Sequence, residues 1–233
     1  MREKMIPLIG NEWLTAIDPI YLQCAIDAIN YTKKDARSTP DIDTAFKIFR
    51  EIKPEDVKVI ICSQCPYPNG KSDGIAFSCS LQDKITPTMS SIYESILEDE
   101  GIPEGEQNKY VVPEDLTYLV KQGVFLCNMK LTVSFDDPTS HSNIGWEQFM
   151  LGVFKTVKRL NPSVPICLWG AQAVTYYKRP LTHLKANYLT ESHPVAAARN
   201  HTLWLCNHFS EVNKQFQIPI RWIKQIPKVQ VTN

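Results

Sequence analysis

Four short apolar runs, residues 57–62, 123–127, 164–169 and 187–189, alternate along the chain with helical patterns near 90–99, 114–121, 145–158 and 205–216. No other feature constrains the fold as strongly. Runs of this length read as buried strands, and strands that alternate with helices build βα units around a parallel sheet. Apolar positions in 13–29 and again in 45–52 add helices ahead of the first strand.

With 233 residues, 43% of them apolar, the chain can bury one sizeable core, so a single domain over 1–233 is expected. No window holds the ~18 apolar residues a spanning helix needs, and the first ten residues lack the long apolar core of a signal peptide. A soluble intracellular monomer, nuclear or cytoplasmic, follows as the expectation. Seven cysteines at 24, 62, 65, 79, 127, 167 and 206 are an odd number, mostly inside apolar runs, and point to a reducing compartment. Lys plus Arg and Asp plus Glu number 25 each, which excludes a global basic field, so any nucleic-acid binding must come from a local patch.

In an open α/β sheet, ligands bind beyond the carboxyl ends of the strands. Those ends carry Ser63-Gln64-Cys65-Pro66-Tyr67 with Gly74-Ile75-Ala76-Phe77-Ser78, then Asn128, then Gly170-Ala171, then Glu191-Ser192-His193-Pro194. One asparagine, one histidine, one phenylalanine and one tyrosine therefore converge on a single rim. Cys62 and Cys65 have the spacing of a redox dithiol or half a zinc site, but no second Cys-x-x-Cys or spaced His pair completes a metal set. Neither a metal nor a cofactor is expected.

This set resembles the uracil-DNA glycosylase family. The family's loop G-Q-D-P-Y corresponds to Ser63-Gln64-Cys65-Pro66-Tyr67, and its G-L-A-F-S to Gly74-Ile75-Ala76-Phe77-Ser78. Its L-L-L-N-x-x-L-T-V is similar to residues 125–133 around Asn128. Ser140-His141 and Gly145-Trp146-Glu147-Gln148-Phe149 follow, then Cys167-Leu168-Trp169-Gly170-Ala171, and finally His193-Pro194-Val195 ahead of His208-Phe209-Ser210. Order and spacing persist from about residue 40 to 222. The resemblance implies a three-layer α/β/α fold with a central, mostly parallel four-stranded sheet. It also implies DNA repair by base excision: base flipping followed by hydrolysis of a glycosidic bond, on uracil-containing DNA of one or two strands, with a replication or repair protein as a further partner.

Each residue type suits the role implied for it. Excision rotates the nucleotide into a pocket that stacks the base and reads its Watson–Crick edge. Gln64, Tyr67, Phe77 and Asn128 surround the base: Phe77 stacks, the Asn128 amide offers both donor and acceptor, and Tyr67 fills the space of a 5-methyl group. His193 matches a neutral histidine that donates to uracil O2 as charge gathers on the leaving base. The other four histidines read as structural.

Cys65 stands where the family carries the aspartate that orients water and steadies the cationic sugar. A thiol with pKa near ~8.5 is mostly neutral and a poor acceptor, so attenuated hydrolysis is expected, with a catalytically silent DNA-binding or partner-binding module as the alternative. A nucleophilic Cys65 thiolate would need a lowered pKa, and no charged residue is adjacent in sequence. The DNA grip is also altered. Ala171, Val195 and Ala198 replace serines, Ala197 replaces the wedge leucine, and Thr88 alone keeps a hydroxyl, while Gly170 and Ala171 amides, Arg199 and Lys130 remain to meet phosphates. Similar to the poxviral branch are Pro68 and the small-residue loop ending in Arg199, although that branch keeps the aspartate.

Overall fold

The computed structural model describes residues 5–111 and 113–226. Helices α1 (Ile6–Ala16) and α2 (Pro19–Thr32) come first, then strand β1 (Ser38–Thr39) and the short helices α3 (Ile42–Ala45) and α4 (Lys47–Glu51). Strand β2 (Val59–Ser63) and helix α5 (Pro87–Asp99) follow. Next come β3 (Tyr110–Val111), α6 (Thr117–Val120), β4 (Val124–Asn128), β5 (Val133–Ser134) and α7 (Trp146–Leu160). The chain continues with β6 (Ile166–Trp169), α8 (Ala171–His183), β7 (Tyr188–Glu191), α9 (Pro194–Asn200), α10 (His208–Asn213) and β8 (Lys224–Gln225).

Four strands form the central sheet in the order β4-β2-β6-β7, all parallel, with helices on both faces. β2, β4 and β6 are buried along their whole length, which is why they read as unbroken apolar runs and not as alternating ones. The chain steps from β2 to β4 on one side, then crosses β2 to place β6 on the other. That change of direction opens a crevice at the carboxyl ends of the strands.

The expected helical stretch at 13–29 is interrupted. Asp18 caps α2 by accepting the Ile20 amide, and Pro19 occupies the first turn, so α1 ends at Ala16 and α2 starts as a separate helix. α2 packs on α7 at Gly152, where a Cβ would lie 2.3 Å from the Tyr21 ring. The patterns at 114–121 and 205–216 shorten to α6 and α10. α8, α9 and the two-stranded pairings β1-β5 and β3-β8 were not expected from the sequence. Among the described residues no helix is long and apolar enough to cross a membrane.

Candidate active site

The strand-end crevice holds a cleft of about 360 Å³. Larger grooves of about 600, 430 and 980 Å³ lie elsewhere, the first by Trp13 and Gly123 at the amino ends of the strands, and none contains a candidate catalytic, base-binding or DNA-binding residue named above. Position relative to the sheet decides between them in favour of the smaller one.

Ser63 and Asn128 end neighbouring strands in direct register. Pairing continues past the strands, since Met129 donates to the Ser63 carbonyl at 2.8 Å and Lys130 to that of Gln64 at 3.2 Å. This ladder sets Cys65, the next residue, at the cleft wall. Asn128 is only 8% exposed, lines the cleft, and its side chain has no hydrogen-bond partner among the described residues. An amide held by a buried residue and open only to the cleft is free to pair with whatever enters it.

Phe77 sits near the floor with its ring centroid 5.3 Å from that of Trp169 and 5.8 Å from that of His193. Its φ of 65° is a left-handed conformation that a bulky residue rarely adopts, storing about 1–3 kcal/mol of strain. The surrounding loop enforces it. Gly74, at φ 86°, could carry no side chain, because a Cβ would fall 1.9 Å from the Thr44 carbonyl, and the Ala76 amide donates to Leu126 at 3.2 Å. The Tyr67 hydroxyl donates to the Phe77 carbonyl at 3.1 Å and pairs with Thr86 Oγ1 at 3.0 Å, and burial pushes its phenol up to about 12.

His193 is the N-cap of α9. Its Nδ1 accepts the Val195 amide at 3.1 Å, so in the neutral ring the proton sits on Nε2, which donates to Ser63 Oγ at 3.0 Å. Burial, helped by the nearby Arg199 cation, presses its pKa down to about 4. The ring is therefore an uncharged N–H donor at neutral pH. Gly170 backs it closely, since a Cβ there would approach the His193 Cβ to 3.2 Å.

Gln64, Cys65, Tyr67, Thr88, Val195 and Arg199 also line the cleft. Burial raises the Cys65 thiol, against a smaller opposing pull from the Lys130 cation. No carboxylate lines the cleft among the described residues. Buried Asp73, close in sequence, is committed to the Ile75 amide and the Ser78 and Ser80 hydroxyls. Ser63, Ser72 and Pro138 line the cleft without having been singled out, and Ser72, at 4% exposure, has no side-chain partner among the described residues. Ser63 was legible as a polar residue closing an apolar run; Ser72 and Pro138 lie in aperiodic loops and carried no such signal.

Three expectations need correction. Lys130 is 1% exposed, with Nζ donating to the Pro138 carbonyl at 2.8 Å, the Ser140 carbonyl at 3.2 Å and Ser142 Oγ at 3.3 Å, so all its protons are engaged and none is offered to DNA. Ala197 is 8% exposed, one turn from buried Pro194 on α9, which packs on α5, whereas the preceding Ala196 is exposed. The Gly170 amide donates to the Glu191 carbonyl at 2.8 Å and is not available to a phosphate, which leaves Ala171 at the amino end of α8. Of the histidines read as structural, His141 bridges Asp35 and Thr132, and His208 accepts the Trp169 indole N–H.

Fold and cleft together define an α/β protein with a strand-end pocket suited to a flat heterocycle: an aromatic face, an unpartnered amide and a neutral imidazole donor. The family model described as "Uracil DNA glycosylase superfamily" matches residues 49–217. A uracil-DNA glycosylase of Psittacid herpesvirus 1 is 34% identical over 88% of this chain, which spans 56% of the viral protein's length. One from Campylobacter fetus is 33% identical over 92% of the chain and 90% of its own length. The crystal structure of mimivirus uracil-DNA glycosylase superposes with a TM-score of 0.73 at 21% identity, over 93% of this chain and 88% of that one. The chain belongs to the uracil DNA glycosylase superfamily.

Proposed function

We propose that this single-domain chain binds DNA, accepts an extruded uracil in the strand-end cleft, and hydrolyses the base–sugar bond weakly. One observation carries this: an unpartnered Asn128 amide, the strained Phe77 ring and the His193 Nε2–H face a cleft whose wall holds a thiol and no carboxylate among the described residues. Asn128 pairs with the uracil edge, Phe77 stacks on the ring, Tyr67 bars a 5-methyl group, and Gln64 closes the wall. His193 exchanges its Ser63 Oγ partner for the oxygen on which charge develops, and such a positioned donor is worth more in a water-poor site. Cys65, a neutral thiol raised by burial, neither activates water nor offsets positive charge on the sugar. Thr88, Ala171, Val195 and Arg199 would flank the strand, with uracil-containing single or double strands as ligand and a replication or repair protein as further partner. The protein acts as a monomer inside the cell.

Abasic-site formation on a uracil-containing single strand, resolved on a gel after alkaline cleavage, tests this. Slow conversion that depends on His193 is expected. Complete absence of conversion, together with retained DNA binding, would favour the second reading, a silent binding module, which the carboxylate-free cleft already supports.

A further inference from the structure

The cleft contains one soft nucleophile, the Cys65 thiol, and two groups that lack partners. Asn128 as a residue is more than nine-tenths buried, yet its amide opens into the cleft without a hydrogen bond, and Arg199 at the rim forms no salt bridge among the described residues. The first points to a heterocycle or its void, the second to a phosphate. Ser63 is strand-paired with Asn128, and Cys65 lies two residues further along, so at most ~7 Å beyond the sheet end, towards the mouth. Asn128 and Cys65 line the same cleft, so a base held by the one brings its sugar within the space walled by the other.

We propose that Cys65 captures the aldehyde of an abasic deoxyribose, holding the strand through a reversible thiohemiacetal at C1′. This rests on the base-pocket reading above. The ring-opened sugar supplies the carbonyl. The Sγ–C1′ bond forms, the carbonyl π bond breaks, and the thiol proton ends on the former carbonyl oxygen as a hydroxyl; nothing is oxidised or reduced and no group leaves. Reversal requires sulfur to depart, and a thiol whose pKa is raised by burial is a poor leaving group. The same burial keeps the thiolate fraction low, so capture is slow. The adduct is therefore slow to form and slow to release, which suits retention of a damaged strand better than turnover. A reaction of the glycosidic-hydrolysis class must supply this ligand, whether from this chain or from another enzyme.

Dissociation rates of three single strands test the assignment: one with an aldehyde abasic site, one whose site has been reduced by borohydride to the C1′ alcohol, and one intact strand with thymine. The aldehyde strand is expected to leave the parent protein at least about tenfold more slowly than the reduced strand. Cys65→Ser should erase that difference while near-ultraviolet circular dichroism shows the fold intact. A ¹³C label at C1′ should report carbon bonded to oxygen and sulfur in the complex. Equal release of aldehyde and reduced strands, both slower than the thymine strand, would overturn capture and leave the base pocket standing. Equal release of all three would remove the base pocket and the capture with it. Aldehyde selectivity that survives Cys65→Ser and is trapped by borohydride would assign the bond to a lysine amine and overturn the role of the thiol.

Discussion

His193 Nε2 lies 3.0 Å from Ser63 Oγ, joining the start of α9 to the end of the central strand β2 across 130 residues of chain. With Nδ1 already accepting the Val195 amide, protonating this ring would break the cap as well as charge a buried group. The folded-state pKa, about 4, lies below the ordinary 6.5, so the unfolded chain binds more protons between those values. The resulting stability, about 3 kcal/mol, is complete above roughly pH 6.5 and is lost as pH falls towards 4. Denaturant unfolding of the parent and His193→Gln across that window should show the parent losing stability on acidification and the variant losing less. Parallel curves would contradict the buried neutral imidazole.

Asn128 makes its own test. Calorimetric titration is expected to show uracil, free or in a single strand, binding more tightly than the thymine equivalent, and Asn128→Ala to weaken uracil by about 1–3 kcal/mol, the cost of an unmade buried hydrogen bond. Preference that survives Asn128→Ala would show that the amide does not read the base.

For Cys65→Asp the expected change is a gain. A positioned general base contributes typically ~100 to 10,000-fold, and the neighbouring Lys130 cation would oppose the burial that favours the protonated form of the new carboxyl. Uracil excision by Cys65→Asp should therefore exceed that of the parent by at least about 100-fold, and His193→Ala in the same background should remove most of the gain. Loss of parental activity on introducing the carboxylate would mean that the thiol itself takes part in the reaction.

DNA affinity should respond weakly to salt. With zero net charge, Lys130 withdrawn into the core and the Gly170 amide engaged, Arg199 and a few polar groups remain for phosphates. A slope corresponding to about 2–4 phosphate contacts is expected from binding measured against salt concentration, and six or more would reveal another basic surface.

Asn128 and His193 were legible because each closes or follows a short apolar run, and the alternation of those runs with helices also points to the sheet that brings them together. What periodicity does not carry is orientation within short or irregular pieces. α9 has seven residues, too few for a pattern to show that Ala197 turns inward, and α8 hides its helical period behind Pro180 and a largely polar face. Lys130 was misjudged because lysines are rarely buried. Only the fold of residues 138–142 around its ammonium reveals that this one is.

Lys130→Met is the variant that isolates that last feature. The ammonium binds three oxygens of the loop carrying Pro138 into the cleft wall, and methionine fills much of the volume while donating nothing. Leaving the Pro138 and Ser140 carbonyls and the Ser142 hydroxyl without their donor should cost about 2–3 kcal/mol in urea unfolding, partly offset because burying the charge was itself unfavourable, as its lowered pKa shows. A purely structural role would end there. The cation also draws the Cys65 thiol towards ionisation, so its removal should slow alkylation of Cys65 by iodoacetamide at mildly alkaline pH, and Lys130→Arg, which keeps the charge, should restore the rate. An alkylation rate that rises in Lys130→Met would show that the loop shields the thiol more than the charge activates it.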